Sequence, residues 1–371
     1  MPKTSFFLLG MRGVGKSTLI KKALPGAKVV NLLDEGLYQL YLSRPAAFAE
    51  DISEVRPGGW VVVDEIQRLP NLLNEVHRAI EEKKIKFALL GSSARKLRRA
   101  GMNLLGGRAL QKFLHPFMPE ELGGDFSVDK VLRSGSIPLI LASGDPPEQL
   151  LAYLQLYLQE EIQAEAIVRN LPGFSRFLPV AALFHAQVVN VEGIGRDCGV
   201  ARSTVEGYLK ILEDTLVAFQ LPAYENKLRV RQQTHPKLYW SDPGIVRAAK
   251  KQLGSVAIEE KGALFEGFIA QVLKSHYELG ILSLDKLSYW SAGKNSVEVD
   301  FVIERGKELI GIEVKSGAEP DRRWFAGFSA LKETGKLKRS IVVYLGKRKY
   351  THASGTEMLP LSDFIKELAS M

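Results

Sequence analysis

Gly10, Met11, Arg12, Gly13, Val14, Gly15, Lys16 and Ser17 satisfy the pattern G-x-x-x-x-G-K-[ST] in full, with Thr18 next in line. Glycines at these positions let backbone N–H groups close around a phosphate, and a helix beginning at the lysine adds the positive end of its dipole. A lysine there reaches β- and γ-phosphates, and the serine hydroxyl is a hard oxygen ligand suited to Mg2+. The loop predicts phosphate contacts from Gly10, Arg12, Gly13, Val14, Gly15, Lys16, Ser17 and Thr18. A second set stands at the end of the apolar run 60–63, where Asp64 and Glu65 follow one another. Asp64 is placed to hold Mg2+ through a water, and Glu65 to orient or deprotonate a water attacking a phosphoryl group. After the apolar run 86–90 come Ser92 and Ser93, equally eligible to contact the γ-phosphate or that water. Arg108 is a candidate for stabilising transition-state charge; acting in trans, it would require a homo-oligomer.

Two further sets lie downstream. Glu298, Val299 and Asp300 head an apolar run, and Ile310 to Lys315 form another after the turn Arg305-Gly306-Lys307. Residues two apart share a strand face, so Glu313 and Lys315 project together while Ile312 and Val314 face a core. On a hairpin Asp300 meets Glu313; two carboxylates can clamp a divalent metal on a scissile phosphate, with Lys315 positioning water or balancing charge. Glu266, polar within a strongly apolar helical run, is the expected fourth member. The other set is a helix, a tight turn at Gly199 and a second helix over 201–212, with Val205, Leu209 and Leu212 on one face at i, i+4 and i+7. Arg202, Ser203, Glu206 and Lys210 are left on the opposite face, where a recognition helix meets a major groove. The same pattern also serves a helix pair that only packs.

These residues need elements to hold them. Runs at 5–9, 28–33, 60–63 and 86–90 read as short buried strands alternating with helices, the pattern of a parallel α/β sheet. A turn cluster at 143–147 marks a boundary near residue 145, and 148–167 reads as one long amphipathic helix. A helical section with a wing-forming run at 216–221 extends to about residue 255. A helix over 263–276 and alternating runs at 287–290, 297–303 and 309–314 then form a separate α+β unit. The expected divisions are therefore 1–145, 146–255 and 256–371.

Composition limits the function classes. With 46% hydrophobic and 25% charged residues over 371 positions, the chain can bury several cores and is not of disordered composition. The single Cys198 excludes an internal disulfide framework, and no Cys/His group has zinc-ligand spacing. No apolar run approaches the ~20 residues of a membrane span, so a cytoplasmic location is expected. A net charge of +8 favours anionic partners. Nine Lys or Arg and no acidic residue lie between Lys83 and Lys112, Arg95, Arg98 and Arg99 among them, and Lys227, Arg229, Arg231 and Lys237 form a second basic stretch. Arg322, Arg323, Trp324 and Phe325 fit either a nucleic-acid surface or an amphipathic helix.

The order of phosphate loop, Asp64-Glu65 strand, Ser92-Ser93 strand and Gly107-Arg108 resembles the AAA-like ATPase domain of a bacterial and archaeal group. Many members of that group carry a C-terminal domain similar to PD-(D/E)xK nucleases. The resemblance implies ATP as the nucleotide. Glu266, Asp300, Glu313 and Lys315 resemble the PD-(D/E)xK core, with Val299 in place of the proline. The implied architecture is a P-loop NTPase parallel sheet with a helical lid, a helical winged-helix middle and an α+β nuclease-like C-terminal domain. The implied activity is Mg2+-dependent ATP hydrolysis controlling a DNA-binding module that takes a second divalent metal. An ATP-gated switch or transcription regulator with an inactive nuclease-like domain is the alternative.

Overall fold

The computed structural model describes residues 1–93, 105–157, 171–224, 235–292, 297–333 and 335–371. The chain divides into two compact units, one of residues 1–116, 137–142 and 214–217, the other of residues 117–136, 143–213 and 218–371. Compactness therefore does not follow the three stretches expected along the sequence: the middle and C-terminal stretches pack together.

The first unit is built on β1 (Phe6–Leu9), β2 (Lys28–Asn31), β3 (Trp60–Asp64), β4 (Lys86–Gly91) and β5 (Leu110–Phe113). All neighbours are parallel and the order is β2-β3-β4-β1-β5. Its longer helices among the described residues are α1 (Lys16–Ala23), α2 (Glu35–Ser43), α3 (Ala46–Asp51) and α4 (Leu73–Lys83), with a single helical turn at Pro138–Leu141. Inner strands are buried on both faces, which explains why they read as unbroken apolar runs. Their period-two alternation sends Phe7, Leu9, Val61, Val63, Phe87 and Leu89 into one core and Phe6, Leu8, Val62, Ala88 and Leu90 into another, with Ile20 of α1. Strand β5, largely exposed at the sheet edge, had no apolar run to announce it.

The second unit opens with a single helical turn at Pro119–Leu122, followed by α5 (Val128–Ser134) and α6 (Pro146–Ala152), the latter capped by the Asp145 side chain. The long helix expected over 148–167 passes into a π-helical turn at Tyr153–Tyr157, and its remainder lies outside the described residues. Next come α7 (Leu171–Leu183), β6 (Gln187–Val188), α8 (Val191–Cys198) and α9 (Arg202–Asp214). Helix α8 starts at the Asn190 cap and stops at Gly199, whose φ of 65° suits glycine. Val205, Leu209 and Leu212 are buried as their spacing requires. Strands β7 (Ala218–Leu221) and β8 (Lys237–Trp240) complete an antiparallel sheet in the order β6-β8-β7.

Helices α10 (Pro243–Ala249) and α11 (Ile258–Glu278) lead to β9 (Lys286–Ser291), β10 (Glu298–Arg305) and β11 (Glu308–Lys315). These join α12 (Ala326–Lys332), β12 (Leu337–Tyr344), β13 (Tyr350–Thr351), β14 (Glu357–Pro360) and α13 (Leu361–Leu368). The mixed sheet runs β13-β14-β12-β11-β10-β9, antiparallel through β9, β10 and β11 and parallel through β11, β12 and β14. Strand β11 is buried continuously from Leu309 to Val314, so both sheet faces are covered. Glu313 is therefore inside the protein, where alternation alone left its face open. Among the described residues no helix is long and apolar enough to cross a membrane.

Candidate functional site

The phosphate loop leaves β1 at Gly10, whose N–H bonds the Gly91 carbonyl. A Cβ at Gly10 would lie 2.4 Å from the Leu114 carbonyl oxygen, so only glycine fits there. Gly13 and Gly15 have φ of 79° and 92°, the left-handed region glycine enters freely. Val14 is buried beneath the loop, while Arg12, Ser17 and Thr18 are exposed. Helix α1 has no side-chain cap, so its first N–H groups face the loop as an anion site would need. Lys16 is buried and folds back, its Nζ donating to the carbonyls of Gly10 at 2.6 Å and Met11 at 3.1 Å.

Adjacent strands β4 and β1 send their outgoing connections in opposite directions, which opens a crevice at their C-terminal ends. Ser17 Oγ donates to Asp64 Oδ2 at 2.5 Å there, across 47 residues of sequence. Hydroxyl and carboxylate side by side form a hard oxygen pair that fits Mg2+. Glu65 adopts φ 58°, a left-handed conformation costly for a residue with a side chain. Its carboxylate is held by Gln67, whose Nε2 donates to Glu65 Oε2 and also to Ser92 Oγ at 2.9 Å; Ser92 Oγ donates to the same Oε2 at 3.3 Å. Sequence reasoning missed Gln67, two positions past Glu65. The structure also separates the two serines: both are buried, but Ser92 joins Glu65, whereas Ser93 Oγ has no hydrogen-bond partner among the described residues.

Arg108 is not brought to this crevice. Leu110 pairs with Phe6 at the start of β1, so Arg108 stands at the N-terminal edge of the sheet, opposite the phosphate loop, and is ion-paired with Glu81. Arg95, Arg98 and Arg99 lie outside the described residues.

In the second unit Glu266, Asp300, Glu313 and Lys315 do converge, from α11, β10 and β11. Register pairs Phe301 with Ile312, which sets Asp300 opposite Glu313. Lys315 Nζ lies 2.7 Å from Glu313 Oε2 and 3.9 Å from Asp300 Oδ2. An unexpected residue joins them. Lys237 of β8, expected on a basic surface, is buried, with Nζ 3.1 Å from Glu266 Oε1, 3.2 Å from Glu298 Oε1 and 3.8 Å from Asp300 Oδ1. Tyr239 Oη donates to Glu266 Oε1 at 2.6 Å.

Burial, with Asp300 adding repulsion, pushes Glu266 up to about 7, and the same two causes raise Glu313 well above the carboxylate range. Burial acts against the charged forms of Asp300 and Lys315 as well, but is outweighed. Lys237, Lys315 and the Val314 N–H keep Asp300 below its ordinary value, while Asp300 and Glu313 lift Lys315 to about 12. Among the described residues no group of three His, Cys, Asp or Glu is arranged to hold a metal. The four carboxylates face two ammonium groups instead, a donor set that does not fit a divalent cation.

Arg202, Ser203 and Lys210 stand exposed on α9, but the two cations are compensated: Arg202 pairs with Glu192 and Glu206, and Lys210 with Glu213. Lys227, Arg229 and Arg231 lie outside the described residues. Trp324 packs edge-on against Tyr344, and Arg323 is paired with Asp321.

Three family models match the chain in succession: an AAA domain over residues 3–123, a domain of unknown function (DUF8612) over 126–255, and another (DUF4143) over 261–364. No curated protein matches the chain. Solved structures that resemble it include the ORC1 protein of Aeropyrum pernix in complex with DNA, at 14% identity over 68% of this chain and 87% of that one, with a TM-score of 0.29. Protein VC1899 from Vibrio cholerae matches at 13% identity over 99% of this chain and 96% of that one, with a TM-score of 0.22. Superposition at that level transfers no site. The AAA match over residues 3–123 and the five-stranded parallel sheet with its loop agree with each other, and both fit a P-loop NTPase core in the N-terminal part.

Proposed function

We propose that the chain is a Mg2+-dependent ATPase whose nucleotide state controls a DNA-binding second unit. The observation carrying this reading is the convergence of Lys16, Ser17, Asp64, Glu65 and Ser92 at one edge of a parallel sheet, beside an uncapped helix N-terminus. Lys16 exchanges its bonds to the Gly10 and Met11 carbonyls for β- and γ-phosphate oxygens, and the loop amides take the rest of the phosphate charge. Ser17 and Asp64 would hold Mg2+, which supplies neutralisation of phosphate charge when bound. Glu65, fixed by Gln67 and Ser92, accepts a proton from the attacking water.

In this reading residues 1–145 hydrolyse ATP, 146–255 form a winged-helix-like section that meets DNA through Arg202, Ser203 and Lys210, and 256–371 form a nuclease-like section. The +8 charge supports an anionic partner. Phosphate release measured with no DNA and with single-stranded, duplex and branched DNA tests the coupling. Stimulation by one form, abolished in Lys16→Ala, is expected, and turnover that survives Lys16→Ala would refute the ATPase assignment.

One observation favours a second reading, an ATP-gated binding switch that cuts nothing. The carboxylates required for metal-assisted cleavage are already paired with Lys237 and Lys315. In this case no DNA form is cleaved with Mg2+ or Mn2+, and Asp300→Ala binds DNA like the wild type.

A further inference from the structure

We propose that the C-terminal carboxylate cluster carries its own cation, the Lys237 ammonium, and is thereby closed to divalent metals. An ammonium has three N–H donors, and this one faces three carboxylates, at 3.1 Å from Glu266, 3.2 Å from Glu298 and 3.8 Å from Asp300. A divalent ion needs oxygens at roughly 2.0 to 2.6 Å, converging on the space this nitrogen fills. The other side of the cluster is also taken: Lys315 lies against Glu313 and Asp300, and Asp300 Oδ2 accepts the Val314 N–H at 2.9 Å. Helix α12 closes in further, since a Cβ on Gly327 would sit 2.0 Å from the Glu298 carbonyl oxygen and 3.0 Å from Glu313 Oε1.

Lys237 is not a surface lysine that swung inward. It is 2% exposed, it stands on a four-residue strand buried throughout, and its Nζ lies over the Tyr289 ring at 5.5 Å. Strand β8 thus delivers the charge across 29 residues of sequence to Glu266 and 61 to Glu298. Its ion pairs join the three-stranded sheet to Glu266 of α11 and to Glu298 and Asp300 of the mixed sheet. Lys237→Met keeps the aliphatic stem and removes the cation, leaving Glu266, Glu298 and Asp300 to recruit another. The inference is independent of nucleotide and DNA, so it is tested in a chain whose phosphate site is disabled by Lys16→Ala and Asp64→Asn.

Titration of that full-length chain with Mn2+ alone, followed by calorimetry and by the resonance of free Mn2+, should find no site in the cluster. Adding Lys237→Met should create one Mn2+ site per chain, at least tenfold tighter than any in the parent, and Asp300→Asn should remove it again. Lys237→Arg retains a cation and should take up no Mn2+. Mn2+ binding by the parent chain that is lost on Asp300→Asn would overturn the proposal, whatever the Lys237 variants do. So would a folded Lys237→Met chain, with its circular dichroism unchanged, that gains no site.

Discussion

Ser92 and Ser93 sit side by side and both are buried, yet only Ser92 shares a hydrogen-bonded network with Gln67 and Glu65. The expected outcome is that Ser92→Ala slows phosphate release ~10-fold or more, by letting the Glu65 carboxylate drift, while Ser93→Ala changes it little. Glu65→Gln should retain ATP binding and lose on the order of a hundredfold in kcat, because the amide cannot accept the water's proton. Steady-state phosphate release together with a direct nucleotide-binding titration separates these effects. The loop residues were legible in sequence because their chemistry is local: glycine dihedrals, a lysine and a hydroxyl within eight positions. Gln67 was not, because a single glutamine carries no periodic signal and its link between Glu65 and Ser92 depends on β3 and β4 becoming neighbours.

Helix α9 and strand β5 show how elements decide what residues can reach. Arg202 and Lys210 face solvent as their spacing predicted, but each is already held by glutamates. If α9 meets DNA, Arg202→Ala with Lys210→Ala should lower affinity and reduce the slope of log K against log salt by about 2, while Glu206→Gln should raise affinity by removing one of the two carboxylates that hold Arg202. Fluorescence anisotropy over a salt series measures both, and an unchanged slope would count against this face. The register of β5 against β1 places Arg108 at the edge of the sheet remote from the phosphate loop. Arg108→Ala should therefore leave turnover within about twofold in dilute protein, where no second chain can supply the residue. The sequence indicated a basic segment here but not which end of the sheet it occupies, because β5 is an exposed edge strand without an apolar run.

At the scale of the whole molecule, two units form from segments that do not follow chain order, and the second buries several polar groups within its apolar core. His185 is 3% exposed; it accepts the Trp240 N–H at 3.2 Å, and a Cβ on Gly267 would lie 1.9 Å from its ring. Burial, with the Lys250 charge, pulls its pKa down to about 3, against a partial rise from the Ala263 backbone. The unfolded chain then takes up this proton before the fold does. The stability His185 contributes is complete above pH ~6.5 and is lost as pH falls toward 3, on the order of a few kcal/mol over that window. Urea midpoints between pH 7 and 4 should fall more steeply for the wild type than for His185→Gln; equal slopes would refute this assignment. Sequence by itself determined the phosphate loop, the inner parallel strands, the helix-turn-helix spacing and the hairpin bearing Asp300 and Glu313, because each rests on backbone preferences and periodicities spanning a few residues. Only the tertiary structure decided that Lys237 enters the carboxylate cluster, that Ser92 rather than Ser93 meets Glu65, and that Glu313 is inside. Those outcomes depend on which distant strands become neighbours and on the cost of burying a charge without a partner, and neither quantity is written in a local pattern.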